Sequence, residues 1–270
     1  MYKLVKDSVD YRALPTKVSK QIIRKLLKNW RSYFKALKAW KETPNLFLGK
    51  PSIPGYKDKI NGRNMLIYTH EAVYKKTLAQ GMCHLSMSGI KVPTLQAKVI
   101  EVRIIPQTSC YVLEIVYEQA VLKPKCTEYV AGVDLGLNNL VALASNQPGI
   151  KPLLINGRPL KAVNQFLNKC RSKLQSLLPK NQFKSKRLDS ITFKRNQYVE
   201  NYLHQTSKLI VDWLNEHQIG TLVIGKNPNW KQKINLCKRN NQQFVQIPHA
   251  KLIEKITSSV SISWIKSSNY

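Results

Sequence analysis

Acidic residues are scarce in this chain. Its 270 residues hold 15 Asp plus Glu against 44 Lys plus Arg, so 44 − 15 gives a formal charge of +29. Solubility needs far less, and an excess of this size points to a polyanionic partner, because each neutralised phosphate releases condensed counterions. A run of about 20 apolar residues is also lacking, which removes a spanning helix, and no signal peptide is recognised at the start. The rival reading of the charge, a basic protein held on a membrane surface, is left without an anchor. Nucleic acid is therefore the expected partner, with no membrane. Paired cysteines are the third absence. Cys83, Cys110, Cys126, Cys170 and Cys237 are odd in number, scattered, and never spaced C-x-x-C. That excludes a zinc ribbon within this chain and reads as free thiols in a reducing, cytoplasmic setting.

What is present falls into zones. Residues 13–42 read as one helix, with Pro15 in its first turn and Val18, Ile22, Leu26, Trp30, Phe34 (or Tyr33) and Leu37 recurring every three to four positions. Its other faces carry Lys17, Arg24, Lys28, Arg31 and Lys35 among nine cations, with no acid between Asp10 and Glu42. A solvated helix face is the plain reading; without ion-pair partners of its own, a surface tracking a nucleic-acid backbone is the other. Trp30, Tyr33 and Trp40 suit stacking on bases, although the place of Trp30 on the apolar row favours core packing. Residues 43–63 are broken by Pro44, Gly49, Pro51, Pro54, Gly55 and Gly62. Strand-like runs follow at 65–68, 96–106 and 110–118, the last two as a hairpin, best accommodated in a small β-barrel or curled sheet.

From about residue 127 the pattern changes again. Strands at 129–135, 140–146 and 152–156 precede a helical region with Val163, Phe166, Leu167, Cys170, Leu174 and Leu177 on one side. A second helix follows at about 188–217, and then the apolar strand Ile219-Gly220-Thr221-Leu222-Val223-Ile224-Gly225. This is the order of an RNase H-like α/β domain. At the end of its first strand stands Asp134, in Val133-Asp134-Leu135-Gly136-Leu137-Asn138-Asn139. There it reads either as a turn residue capping backbone N–H groups or as the first metal ligand of an RNase H-type nuclease. After the central strand come Lys226, Asn227, Trp230, Lys231 and Gln232, where ligands sit in doubly wound folds, and they read as a nucleic-acid contact rather than a plain solvated loop.

Val133-Asp134-Leu135-Gly136-Leu137-Asn138-Asn139-Leu140-Val141-Ala142-Leu143 resembles the first RuvC motif of TnpB proteins, the OrfB transposase family, relatives of the type V CRISPR nucleases. Arg195-Asn196-Gln197-Tyr198-Val199-Glu200-Asn201-Tyr202-Leu203-His204 resembles the bridging-helix side of that domain. Ile219 to Gln232, and then Phe244-Val245-Gln246-Ile247-Pro248-His249, continue the likeness, as do Leu14 to Lys41 and Pro54-Gly55-Tyr56-Lys57-Asp58-Lys59. Similarity extends over roughly residues 10–256. It implies an RNA-guided DNA endonuclease that holds a transposon-end guide RNA and target DNA and cuts with Mg2+ bound to three carboxylates. Arg195 and His204 become candidate nucleic-acid ligands with the cations above, and Asp134 the catalytic and metal-binding residue.

The departures from that pattern define the expected organisation. Gly225-Lys226-Asn227 stands where many members carry Glu, and the final segment 257–270 has no carboxylate and no family resemblance. One carboxylate cannot hold two hydrated magnesium ions about 4 Å apart. The expectation is a basic helical segment over 1–63, a small β domain over 64–125, an incomplete RuvC domain over 126–256, and a non-family tail over 257–270. The last strand and helix are expected to be missing, with marginal stability as the result. The expected function is a DNA- and RNA-binding protein of the transposase family that does not cut, with Mg2+ not held productively and no zinc. The alternatives are a nuclease-dead RNA-guided regulator, and an active enzyme with a relocated metal site drawn from Asp189, Glu200, Asp212 or Glu216.

Overall fold

A computed structural model describes residues 2–58, 62–96, 98–120, 127–225, 244–262 and 266–269. The chain divides into two compact units, Met1–Glu118 and Gln119–Tyr270. In the first, two short helices, α1 (Tyr2–Val5) and α2 (Val9–Arg12), lead into the 27-residue α3 (Thr16–Glu42). Strands β1 (Leu66–Thr69), β4 (Val99–Pro106) and β5 (Tyr111–Tyr117) form an antiparallel sheet in the order β1-β4-β5. The helix α4 (Lys75–Ala79) precedes a separate ladder of β2 (Met82–His84) and β3 (Lys91–Pro93). The expected β4–β5 hairpin forms; a closed barrel does not, because the described strands make two ladders of three and two strands.

The apolar row expected along α3 packs only at its start. Val18 is fully buried against the cluster of Tyr68, Ala72, Val73, Cys83, Leu85, Val99 and Val102. Beyond Ser19 no residue of the helix is buried, and Leu26 and Phe34 are exposed. Length explains this: 27 residues of helix run about 40 Å, whereas the four-residue strand β1, against which α3 packs, runs about 13 Å. Trp30 is therefore no core residue. It is half-buried against Tyr33 and Phe34, at ring-centroid distances of 6.0 and 5.8 Å.

The second unit is a mixed α/β layer structure. Its elements are β6 (Val130–Leu135), β7 (Asn139–Ser145), β8 (Leu153–Asn156), α5 (Arg158–Ser176), α6 (Lys186–Glu216), β9 (Thr221–Ile224), α7 (His249–Ile262) and β10 (Lys266–Asn269). Sheet order is β10-β9-β6-β7-β8, with β6–β8 antiparallel and β9 and β10 parallel to β6. Alternation along β6 buries Ala131, Val133 and Leu135 and exposes Gly132 and Asp134. The buried face meets Val199, Leu203, Ile210 and Leu214 of α6 and Leu252, Ile253, Ile256 and Val260 of α7. On α5 the buried positions are Leu160 and Asn164 rather than the expected side; Phe166 and Leu177 are exposed.

The tail corrects the expectation of a missing last strand. Residues 257–262 continue α7, and Lys266-Ser267-Ser268-Asn269 pair with Thr221-Leu222-Val223-Ile224. The segment is polar and has no strand pattern of its own, so the free edge of β9 supplies the reason for its conformation.

Candidate nucleic-acid and metal site

Asp134 lies inside the end of β6, opposite Ala142 of β7. Its neighbours on the exposed face are small. Gly132, Ala142, Ala144, Val223 and Gly225 line a shallow depression of about 440 Å³ around it. The Gly225 N–H donates to the Val133 carbonyl at 3.4 Å, which brings the end of β9 beside Asp134. A Cβ at Gly225 would sit in ordinary contact, 3.8 Å from that carbonyl. The position therefore accepts a side chain, yet the sequence supplies none.

The turn after Asp134 is fixed by close backbone approaches. A Cβ at Gly136 would lie 2.6 Å from the Asn139 carbonyl oxygen, and one at Gly157 would lie 2.2 Å from that of Leu137. The Gly157 N–H donates to the Asn138 carbonyl at 2.7 Å, and Lys161 Nζ donates to Asn138 Oδ1 at 2.8 Å. The imidazole of His249, fully buried at the start of α7, donates through Nε2 to the Gly136 carbonyl at 3.0 Å. His249 thus positions the turn that presents Asp134, a role the sequence reading missed although Pro248-His249 was among the matching segments. Gly157→Ala should lower stability by about 2 kcal/mol, the cost of forced overpacking against backbone. A denaturant melt with an unchanged midpoint would show that the contact relaxes freely.

A two-ion magnesium site does not fit these residues. All the Asp and Glu side chains of the second unit fall at described positions: Glu128, Asp134, Asp189, Glu200, Asp212, Glu216 and Glu254. Among the described residues no three His, Cys, Asp or Glu side chains converge on a point that could hold a metal ion. Glu200, one candidate for a relocated site, is occupied by Lys251 and Lys255, the latter at 2.6 Å. Burial alone would raise its pKa, but the hydrogen bonds and charges of the two lysines outweigh burial and hold it below the ordinary value. It is neutralised within the unit.

The structure separates the other candidate residues. Arg24, Lys28, Arg31 and Lys35 are exposed on α3, and no described carboxylate forms an ion pair with them. Lys17 is already paired with Glu71, whose pKa it lowers by hydrogen bonding and charge. Arg195, expected as a nucleic-acid ligand, is half-buried and hydrogen-bonded within the unit. Its guanidinium donates to Asn164 Oδ1 at 2.7 Å, Asn196 Oδ1 at 3.0 Å and the Gln246 carbonyl at 2.7 Å. It ties α5 and α6 to the segment before α7, and burial lowers its pKa. His204 is exposed beside Lys251, Lys255 and Ser258 in a groove of about 420 Å³. Lys226, Asn227, Trp230, Lys231 and Gln232 lie outside the described residues.

The second unit is thus a mixed α/β unit that displays one strand-end aspartate, in a strongly basic chain. Residues 114–231 match the OrfB_IS605 family profile, described as a probable transposase. Over that matched segment the chain is TnpB-like. No curated protein matches it significantly. Among solved structures it is similar to a Cas12f1–sgRNA–target DNA complex, at 16% identity and a TM-score of 0.45 over 63% of this chain and 35% of that one. It is also similar to a CRISPR-Cas12f ternary complex, at 15% identity and a TM-score of 0.44 over 90% of this chain and 59% of that one. The chain spans less than two thirds of either protein. Among the described residues no helix is long and apolar enough to cross a membrane.

Proposed function

We propose that this chain is a nucleic-acid-binding member of the transposase family that grips guide RNA and target DNA by their backbones and does not cut them. The second unit is read as an RNase H-like (RuvC) domain. Support for this is its sheet order, with three antiparallel strands followed by two parallel ones, and Asp134 at the end of the first. The observation that carries the binding function is the stripe of Arg24, Lys28, Arg31 and Lys35, exposed and without ion pairs among the described residues, in a chain of charge +29. Such cations meet phosphates without reading sequence. The reading that this chain does not cut is supported by Asp134 standing without a second carboxylate beside it among the described residues, since groups of a metal site act as a unit and removing members removes most of the rate enhancement. The free thiols of Cys83, Cys110 and Cys170 suit a reducing, cytoplasmic setting.

Two measurements test this. Binding of the full chain to fluorescent RNA should weaken with a log–log salt slope of about −3 or steeper, as four phosphate contacts require; a flat response overturns the backbone grip. With transposon-end RNA, target DNA and Mg2+, no cleavage should be seen, and the Asp134→Ala protein should behave like the parent. Cleavage that Asp134→Ala abolishes would overturn the second half of the reading.

A further inference from the structure

The first unit contains a cleft of about 550 Å³ that none of the residues discussed above lines as a candidate ligand. Its size falls within the roughly 300–1,000 Å³ of small-molecule sites. Val73 and Val99, both buried, and half-buried Leu78 form its apolar lining. A strand irregularity enlarges that surface. Consecutive residues of a regular strand face opposite ways, yet Val99 and Ile100 both line the cleft. The β4–β5 register shifts between Val99 and Glu101, as a bulge that re-aims a side chain would cause. Ile100 is left 44% exposed as a wall.

The polar groups at the cleft are few and of defined kind. Lys75 and Lys98 are exposed, with no salt bridge among the described residues; the imidazole of exposed His70 also lines the cleft, and the carboxylate of the lining is Glu118, also exposed. The geometry points to a site for one unstacked nucleobase of a bound strand, a base bearing an exposed amino group, cytosine before uracil. Aliphatic walls accept the flat face of the base, as apolar side chains do around flipped nucleotides. Two lysines meet the flanking phosphates as point charges. An ionised Glu118 accepts hydrogen bonds and donates none, so it favours the N4 amino group of cytosine and repels the O4 carbonyl of uracil. This inference rests on the nucleic-acid reading above.

Ligand-observed NMR with the full chain and either cytidine or uridine 5′-monophosphate tests it. Cytidine monophosphate should bind, and uridine monophosphate about tenfold more weakly. Lys98→Glu should weaken cytidine monophosphate binding about tenfold, and Glu118→Gln, which can both donate and accept, should erase the preference. Ala79→Trp, at an exposed lining position, should fill the cleft and abolish binding while circular dichroism stays unchanged. Equal cytidine monophosphate binding by the parent, Lys98→Glu and Ala79→Trp proteins, or no binding by the parent, overturns the site. If RNA still binds with a steep salt slope in that event, only the cleft has failed. If the slope is flat, the backbone grip has failed, and the monophosphate result decides the cleft by itself.

Discussion

Replacing Arg24, Lys28, Arg31 and Lys35 together by alanine lowers affinity for single-stranded RNA about a hundredfold at 0.15 M salt. The four residues follow one another at intervals of four, three and four, so they form one stripe along α3, about 16 Å from first to last. Each phosphate contact on a single strand contributes about 0.7 to the salt slope. Losing four flattens the slope by nearly 3, which amounts to roughly two decades of affinity between 1 M salt, where the electrostatic part vanishes, and 0.15 M. Alanine is the best helix former and the four side chains are exposed, so the fold should not suffer. Lys17→Ala is the control: that ammonium already serves Glu71, and its loss should change affinity by less than about threefold. Fluorescence polarisation across a salt series reads both quantities. A quadruple variant with the parent's slope would place the phosphate contacts elsewhere.

Ending the chain after Ile262 should lower the melting temperature of the second unit by about 10 °C and promote aggregation. The deletion removes β10, four residues paired in parallel with β9 and packed against α7. At about 1 kcal/mol net per ladder hydrogen bond, the loss is roughly 3 kcal/mol. It also bares the edge of β9, whose Leu222 and Ile224 belong to the core. Calorimetry and light scattering on the two chains compare them directly. Identical melting would mean that β10 contributes nothing to the sheet.

The sequence by itself determined the net charge, the long helices α3 and α6, and strands β6 to β9 with Asp134 near the end of the first. These are set by composition and by periodicity within one segment, so neighbours in sequence suffice to read them. The family likeness rested on the same local patterns. Only the tertiary structure decided the rest. Lys266-Ser267-Ser268-Asn269 carries no strand pattern and becomes β10 because β9 offers unpaired backbone groups. Arg195 looks like a phosphate ligand in one dimension, yet Asn164 and Gln246, 31 and 51 residues away, claim its donors. The apolar row of α3 was legible, but whether it is buried depends on how far the opposing sheet reaches, and that sheet stops after the first turns. A side chain's type is local, whereas its partner, its burial and the strand edge beside it are supplied by distant segments.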